Sequence, residues 1–335
     1  MPGTVGGVSW NLRALDVLAA GEPTPLIDLP VRMPGIRLLL KDESAQPTGS
    51  LRHRHARALF RQGVLDGLIG EGTTVVEATG GNAAVAQAWH AQRLGLPYIV
   101  VMPGERGEQR ARPVEALGGE CRFVTPPLAI YDAAREIEGH FLDQFGRAAE
   151  HDLAEELFGQ VRPDWVVTGA GTGATSATLG RWIRERGAGC RVAVADPENS
   201  AYFPGWTLDT PDYATGMPSR IEGIGRPRVE PGFRPDLVDR VVPVPDAASV
   251  AAARHLREVT GLVVGGSSGT ALWAALELVE RMRAKGETGT VVSLIGDAAD
   301  RHLATYHDVG WAAERRLDPT PFTDRLRRVF STVSG

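Results

Sequence analysis

Hydrophobic residues along the chain fall into short, nearly continuous runs, separated by longer segments in which they recur every three or four positions. The runs are rich in Val, Ile and Leu, as in strands that are buried on both faces of a parallel sheet. The intervening segments have the period of amphipathic helices. The pattern predicts an α/β protein with strands in IRLLLK, TTVVEAT, PYIVVMP, CRFVTP, DWVVTGA, RVAVADP, DRVVPVP, GLVVGG and TVVSLIG.

Six segments have helical spacing, and the tail DPTPFTDRLRRVFSTVSG predicts one more helix on the surface. Residues 201–235 are crowded with glycine, proline and turn residues, which predicts a long functional loop instead of a linker. The six helical segments are LRHRHARALFRQGVLDG, NAAVAQAWHAQRLG, EQRARPVEALGG, ATSATLGRWIRERG, AASVAAARHLREVTG and TALWAALELVERMRAKG.

Composition narrows the class of protein. The 335 residues are 43% hydrophobic, with no run that could cross a bilayer and no secretory signal at the start, so we expect a soluble cytoplasmic protein. The net charge of −5 is spread without blocks of one sign, which argues against nucleic-acid or membrane binding and favours a small-molecule partner.

Two cysteines are too few for a disulfide framework. No metal site is expected, because His53 and His55 lie two positions apart and point to different helix faces.

The first of three glycine-rich segments is DWVVTGAGTGATSATLGRW, a loop between a predicted strand and a predicted helix. Such a loop offers backbone N–H groups and a helix N-terminus to an anion such as phosphate. Gly169, Gly171 and Ala174 also fit the dinucleotide fingerprint G-x-G-x-x-A, with Asp196 where a ribose-binding acid should be. A nicotinamide or flavin site therefore stays open, beside a tight turn without a ligand.

The second segment, GLVVGGSSGTALW, matches the G-x-S-x-G motif of serine hydrolases at Gly265, Ser267 and Gly269. An acid and two histidines follow in hydrolase order, namely Asp297, His302 and His307. The acid and the first histidine are so close in sequence that one loop would have to supply both, which weakens this interpretation.

The third segment, EATGGNAAVA, again joins a predicted strand to a predicted helix. Its glycines can present backbone donors to a carboxylate, and the Asn82 amide can bind a ligand hydroxyl. The alternative for Asn82 alone is a helix cap.

Together with KDESAQPTGS and PTGSLRHR, these segments resemble one family in order and spacing from about Thr24 to about Thr305. The chain resembles the fold-type II pyridoxal-phosphate (PLP) enzymes of the cysteine synthase and cystathionine β-synthase family, especially cysteine desulfhydrase-like members. The resemblance implies a homodimer of two-domain chains. Residues 1–45 and 150–335 would form the larger domain, which binds the cofactor phosphate, and residues 46–149 the smaller one.

The resemblance also implies roles for single residues. Ser267 would face the pyridine nitrogen of PLP, and Asn82 would contact its phenolic oxygen. The cofactor phosphate would be held by Gly171, Thr172, Gly173, Ala174 and Thr175, and the substrate carboxylate by Thr79, Gly80, Gly81 and Asn82. Ala174 replaces a common glycine, Ala83 replaces a common threonine, and GDAADRH replaces D-S-G-E-R-Y.

The largest departure is Arg52, which stands where the family has the lysine that binds PLP covalently as a Schiff base. Arginine stays protonated and is a poor nucleophile, so we expect any PLP to be held non-covalently. The chain has only two lysines. Lys285 is expected at a helix end, which leaves Lys41 as the one substitute base, with His53 as a further candidate proton carrier.

The predicted helix start adds a hypothesis about Arg52. With Ser50 as the expected N-cap, the guanidinium lies in the first turn, where a cation opposes the helix dipole by up to about 1 kcal/mol. We therefore expect Arg52 to pair with a bound carboxylate or phosphate.

The sequence thus predicts β-elimination or β-replacement on cysteine or an activated serine, with activity reduced by the loss of the lysine. Two alternatives stay open. One is a non-catalytic descendant that binds PLP, an amino acid or a partner protein, and the other is PLP-independent chemistry with Arg52 as an anion clamp.

Overall fold

The computed structural model describes residues 9–147 and 149–330. These residues form two compact units. Unit 1 comprises residues 9–22 and 52–149, and unit 2 comprises residues 23–51 and 150–330. Each unit contains one mainly parallel sheet with helices packed against it, which confirms the predicted α/β class.

The strands of the described residues are numbered in chain order. They are β1 (Leu26–Leu29), β2 (Ile36–Asp42), β3 (Val75–Ala78), β4 (Tyr98–Pro103), β5 (Glu120–Val124), β6 (His140–Phe141), β7 (Trp165–Gly169), β8 (Arg191–Pro197), β9 (Arg240–Val244) and β10 (Gly289–Ile295).

The α-helices are numbered in the same way. They are α1 (Trp10–Val17), α2 (Arg52–Leu65), α3 (Asn82–Leu94), α4 (Glu108–Glu115), α5 (Ile130–Arg135), α6 (Leu153–Gln160), α7 (Ala174–Arg186), α8 (Tyr202–Thr207), α9 (Asp246–Thr260), α10 (Gly266–Ala284), α11 (Val309–Glu314) and α12 (Thr320–Val329).

The sheet of unit 2 has the order β1-β2-β10-β7-β8-β9, with β1 antiparallel to β2 and all other neighbours parallel. Alternate residues of its strands belong to different apolar clusters. Ala193 packs in the cluster that contains α9 and α10, whereas Val192 packs in the one that contains α6 and α7. Because both faces are covered, these strands are continuously apolar. The loops after the neighbouring strands β7 and β10 leave the same end of the sheet.

The sheet of unit 1 has the order β5-β4-β3-β6, and all its neighbours are parallel. Its main apolar cluster includes Phe60 and Val64 from α2, Ala84 and Ala88 from α3, and Val100 from β4. The apolar stripes of these two helices therefore explain why a chain with this spacing folds onto the sheet.

Some predicted elements differ in the structure. GLVVGG is not a strand, because only Val264 forms an isolated bridge, to Ala298, and α10 already begins at Gly266. A short apolar run cannot be distinguished from the approach to a helix by its pattern alone. The tail helix is present as α12, and residues 331–335 lie outside the described part. Several short elements were not predicted, namely β1, β6, α1, α5, α6, α8 and α11.

The predicted domain division differs from the two units in two places. Residues 9–22 group with unit 1, because Ala14 and Leu18 pack in the same apolar cluster as Phe60. Residues 46–51 group with unit 2, where the Leu51 amide donates to the Gly296 carbonyl over 2.9 Å. The division into domains itself stays a prediction. Within the described ranges, no helix is long and apolar enough to cross a membrane.

Candidate active site

The loop between β7 and α7 carries the residues predicted to bind a phosphate, and we call residues 170–175 the phosphate loop. Gly173 has a left-handed backbone (φ +84°) and caps α7. A Cβ atom there would lie 2.4 Å from the Gly232 carbonyl oxygen, so a side chain does not fit. The loop therefore offers its backbone and the amino end of a 13-residue helix to a ligand.

Hydroxyl groups surround this helix start. The Thr172 Oγ1 atom accepts from the Ala174 amide over 3.3 Å, and the Ser176 hydroxyl donates to the Gly173 carbonyl over 3.0 Å. The half-buried Thr175 hydroxyl lies 3.3 Å from the Nε2 atom of His151. Hydroxyls and unpaired N–H groups at a helix N-terminus are the donors that bind phosphate in proteins.

The segment 201–235 holds the phosphate loop in place. The buried Tyr202 hydroxyl donates to the Gly171 carbonyl over 2.5 Å, and the Gly225 amide donates to the Ala170 carbonyl over 2.8 Å. Its abundance of glycine and proline predicted a functional segment, but no sequence signal singled out Tyr202 as the residue that contacts the loop.

Ser267 is the second residue of α10, and its side chain is half-buried. Gly296, directly after β10, passes so close that a Cβ atom on it would lie 3.2 Å from the Ser267 Oγ atom. Because β10 is the neighbour of β7, the structure brings Ser267 and the phosphate loop to the same end of the sheet of unit 2.

In unit 1, the predicted carboxylate-binding residues connect β3 to α3, and we call residues 79–82 the carboxylate loop. The Thr79 amide donates to the Val101 carbonyl over 3.0 Å, and Gly81 caps α3, which begins at Asn82. All four residues of the loop are half-buried. The amino end of a 13-residue helix therefore lies directly after a strand, as the phosphate loop does in unit 2.

A buried acid lies directly before the carboxylate loop. Glu77 accepts hydrogen bonds from the Ala78 amide over 2.8 Å and the Gln144 amide over 3.1 Å. Burial raises the pKa of Glu77 to about 8, so its carboxyl group is protonated at neutral pH. No sequence signal singled out Glu77, because an acid within an apolar strand belongs to no motif.

Arg52 is the first residue of α2 and is half-buried. Burial, and secondly the Arg52 charge, lower the pKa of the nearby His55 to about 4. The expected cap is not formed, since the buried Ser50 Oγ atom has no hydrogen-bond partner among the residues that the structure describes. The guanidinium therefore adds its charge at the positive end of a 14-residue helix.

A family model described as pyridoxal-phosphate dependent enzyme matches residues 17–297. The chain belongs to this family.

Curated relatives and a solved structure of the PLP-dependent enzymes agree with this assignment. The chain is 47% identical over 301 residues to the L-cysteine desulfhydrase of Mycobacterium tuberculosis, a match that covers 85% of this chain and 82% of that protein. It is 30% identical to the cysteine synthase of Aquifex aeolicus, with 84% and 88% covered. The crystal structure of O-ureido-L-serine synthase superimposes with a TM-score of 0.75 at 25% identity, over 90% of this chain and 98% of that one.

The residues of this PLP-family chain fit the cofactor in one respect and not in another. The phosphate loop has the donors and the side-chain-free turn that a phosphate requires. Position 52, in contrast, offers a guanidinium, which does not form a covalent bond to an aldehyde under ordinary conditions. The chain therefore fits PLP as a ligand and does not fit it as a covalently bound group at position 52.

Lys41 does not replace the missing lysine as a free amine. Its buried Nζ atom donates to the Thr24 carbonyl over 2.7 Å, to Gln160 over 2.7 Å and to the Glu156 carboxylate. An ammonium group has three N–H donors, so these acceptors occupy all of them. These contacts argue against Lys41 as the substitute base, a role that stays a prediction.

The other lysine lies at the far end of α10 from Ser267. Lys285 follows the last helical residue, and its exposed Nζ atom lies 3.6 Å from the Glu287 carboxylate. At 1.5 Å per residue, it is about 27 Å along the helix axis from Ser267. Lys285 therefore lies at the end of a helix, as the sequence predicted, and its side chain is exposed.

His53 is packed inside unit 1. It is 3% exposed, and its ring centroid lies 4.8 Å from that of Trp89 and 4.5 Å from that of His90. The ring therefore belongs to the contact between α2 and α3, which supports a packing role over that of a proton carrier.

The two other motif interpretations are replaced by membership of the PLP family. Asp297 does contact His302 over 3.0 Å, but within the described residues no hydrogen bond joins His302 to Ser267. The carboxylate of Asp196, the candidate ribose-binding acid, accepts the Phe203 amide at its Oδ2 atom over 2.7 Å. Both acids serve contacts within unit 2.

Proposed function

We propose that this chain binds PLP non-covalently and acts on a β-substituted alanine, such as cysteine or an activated serine, by β-elimination or β-replacement. The names of its relatives support the substrate class, because cysteine and O-ureido-L-serine are both β-substituted alanines. The observation that carries the proposal is the phosphate loop, whose backbone is held by Tyr202 and Gly225 in a chain with arginine at position 52.

Each loop has one task in this proposal. PLP, when bound, supplies an electron sink for the charge that develops at the substrate Cα atom. The phosphate loop binds the phosphate, and the Ser267 hydroxyl pairs with the pyridine nitrogen. As the resemblance to the family implies, the Asn82 amide would contact the phenolic oxygen, and the N–H groups of the carboxylate loop would hold the substrate carboxylate.

Arg52 limits the rate. Its guanidinium stays protonated far above neutral pH, so it does not accept a proton from the substrate Cα atom as a neutral lysine does. Its fixed charge at the start of α2 instead attracts a carboxylate or a phosphate. We therefore expect turnover to be slow and ligand binding to be retained.

A second candidate function is binding without turnover. It is favoured by the engaged Lys41 ammonium and the packed His53 ring, which leave both candidate bases occupied. In that case the chain binds PLP or an amino acid and releases no product. A homodimer and the use of Arg52 as an anion clamp without PLP stay predictions.

The first test is a titration of the purified protein with PLP, followed by near-visible absorption. We expect a saturable band that shifts when cysteine or O-acetylserine is added, because an amino acid bound beside the cofactor changes its electronic surroundings. The absence of any saturable change would remove PLP from the account.

The non-covalent mode has its own test. The PLP-loaded protein is treated with borohydride and its intact mass is measured, with Lys285→Arg as the control for attachment at the exposed lysine. We expect an unchanged mass, and the gain of one reduced cofactor that survives in the control would contradict the proposal.

Product analysis separates the two candidate functions. Elimination from cysteine consumes one water molecule and yields pyruvate, ammonia and sulfide in equal amounts. Slow release of all three above a protein-free PLP control would support the enzyme, whereas saturable binding without release would support the binding protein.

A further inference from the structure

His151 contacts the phosphate loop in unit 2 at Thr175, and no sequence motif singled it out. It precedes α6 and is 8% exposed. One side of the residue contacts the first turns of α7, and the other lines a cavity of about 330 Å³. His151 is therefore placed between the phosphate loop and a polar cavity.

Two contacts fix His151 against α7. Its Nε2 atom lies 3.3 Å from the Thr175 hydroxyl, and its backbone amide donates to the Thr178 hydroxyl over 3.4 Å. Residues three positions apart lie on the same face of a helix, so both contacts hold His151 to one face of the first turns. The imidazole is therefore oriented toward the hydroxyl of Thr175, the last residue of the phosphate loop.

The direction of the hydrogen bond follows from the chemistry of the ligand. A threonine hydroxyl has one hydrogen, and a phosphate dianion can only accept. Thr175 must therefore donate its hydrogen to the phosphate, which leaves its oxygen to accept from His151. This requires a proton on the Nε2 atom of His151.

Charged groups line the cavity beside His151. Its wall includes four carboxylates, those of Glu150, Asp152, Glu155 and Glu185, and one guanidinium, that of Arg186. Arg181 also pairs with Glu150 from outside the cavity wall. A neutral imidazole has a proton on one of its two ring nitrogens, so the tautomer with that proton on Nε2 is the donor that the Thr175 hydroxyl requires.

We propose that His151 is a positioning residue for the cofactor phosphate: its Nε2–H group orients the Thr175 hydroxyl so that this hydroxyl donates to the phosphate. The inference rests on the proposed function, because it assigns the phosphate of PLP to the phosphate loop. It predicts a contribution to affinity that depends on the phosphate and not on the pyridine ring.

The test compares PLP with pyridoxal, which lacks the phosphate. We expect His151→Ala to weaken PLP binding roughly 3- to 10-fold, the worth of one hydrogen bond, and to leave pyridoxal binding unchanged. His151→Gln, whose amide can donate to Thr175, should restore part of the loss. His255→Ala is the matched control, since His255 is also 8% exposed but stacks on Phe330 in another part of unit 2.

A double-mutant cycle shows whether His151 acts through Thr175. In a Thr175→Val background, His151→Ala should have no further effect on PLP affinity. An equal loss of PLP and pyridoxal binding, no loss at all, or an unchanged loss in the Thr175→Val background would each overturn the proposal. Thermal unfolding of every variant identifies a loss that comes from misfolding.

Binding of inorganic phosphate distinguishes a failure of this inference from a failure of the proposed function. This binding is followed by phosphorus NMR in wild type, His151→Ala and His255→Ala. If wild type binds phosphate but not pyridoxal or PLP, the proposed function fails, and a loss confined to His151→Ala still supports the positioning role. If wild type binds neither phosphate nor PLP, both are overturned.

Discussion

The phosphate loop and the carboxylate loop have the same local design, since each joins a buried parallel strand to the amino end of a 13-residue helix. They differ in what holds them. The phosphate loop is fixed directly by neutral donors, the Tyr202 hydroxyl and the Gly225 amide. The carboxylate loop follows a buried carboxyl group, that of Glu77, whose charge depends on pH.

A second difference concerns the residues in and around each loop. Unit 2 has the left-handed Gly173 at the start of α7, although Ala174 stands where the resemblance to the family implies a glycine. Unit 1 has the glycines of the carboxylate loop, and Arg52 begins α2 at the position where the resemblance to the family implies a lysine. Under the proposed function, phosphate binding depends on unit 2 and bond-making chemistry on position 52, so one can be retained while the other is changed.

The most severe test of this comparison is Arg52→Lys. A lysine in the first turn of α2 faces the positive end of the helix dipole and a half-buried environment, both of which favour its neutral form. We expect sulfide release from cysteine to rise about 100-fold or more, the usual worth of a positioned acid–base group. The rate is measured under saturating PLP.

Arg61→Lys is the matched control, because Arg61 is an exposed residue of the same helix. It should leave the rate and the absorption spectrum unchanged. If Arg52→Lys also left both unchanged, the loss of chemistry would have to reside elsewhere in the chain, and the contrast between the two units would be wrong.

The next largest effect should come from Glu77→Gln. The folded protein retains the Glu77 proton up to pH about 8, whereas the unfolded chain releases it near 4.5. Stability from this group is therefore complete below pH 4.5 and is lost as the pH rises to 8, by at most about 1.4 kcal/mol per pH unit. Glutamine does not ionise, so the variant should lack this decline.

The free energy of unfolding of wild type and Glu77→Gln is measured by urea denaturation at several pH values between 5 and 8. Burial also raises the pKa of Asp196 in unit 2 to about 7, so ionisation of this group lowers stability over the same pH range. Only the difference in stability between wild type and Glu77→Gln therefore reports on Glu77. Glu120→Gln, an exposed substitution on β5, is the control. Parallel curves for wild type and Glu77→Gln would show that Glu77 is ionised in the folded protein.

The sequence predicted the fold class and the two loops well, because their signals are local. A strand, a glycine turn and a helix start within ten residues, as around Gly173, need no knowledge of distant contacts. Arg52 was also identified, since a motif with one changed residue is visible in the chain itself.

The residues that support these loops could not be predicted in the same way. Tyr202 contacts Gly171 across 31 positions, and Gln144 contacts Glu77 across 67. Lys41 was predicted as a substitute base. Its contacts with Glu156 and Gln160 could not be predicted, because both residues belong to a helix more than a hundred positions away. Long-range packing decides such roles, and neither periodicity nor spacing reports it.

Gly173→Ala should have a smaller but clear effect on unit 2. A methyl group would meet the Gly232 carbonyl at 2.4 Å in a left-handed backbone, so we expect a loss of about 2–4 kcal/mol in the free energy of unfolding and much weaker PLP binding. Gly187→Ala is the control, because Gly187 ends the same helix with φ +58° and no neighbour within 4 Å. Equal losses for the two variants would mean that close packing at Gly173 is unimportant.

The smallest effect should come from Tyr202→Phe, which removes one hydrogen bond to the phosphate loop. We expect a loss of about 1 kcal/mol in the free energy of unfolding and several-fold weaker PLP binding, because the Gly171 carbonyl is no longer held. Tyr306→Phe is the control, since the Tyr306 hydroxyl also pairs with a backbone group, the Glu222 amide, at 2.9 Å. The two variants should lose similar stability, and only Tyr202→Phe should lose affinity. If both bind PLP like wild type, the phosphate loop holds its shape without the segment 201–235, and the contrast with the carboxylate loop disappears.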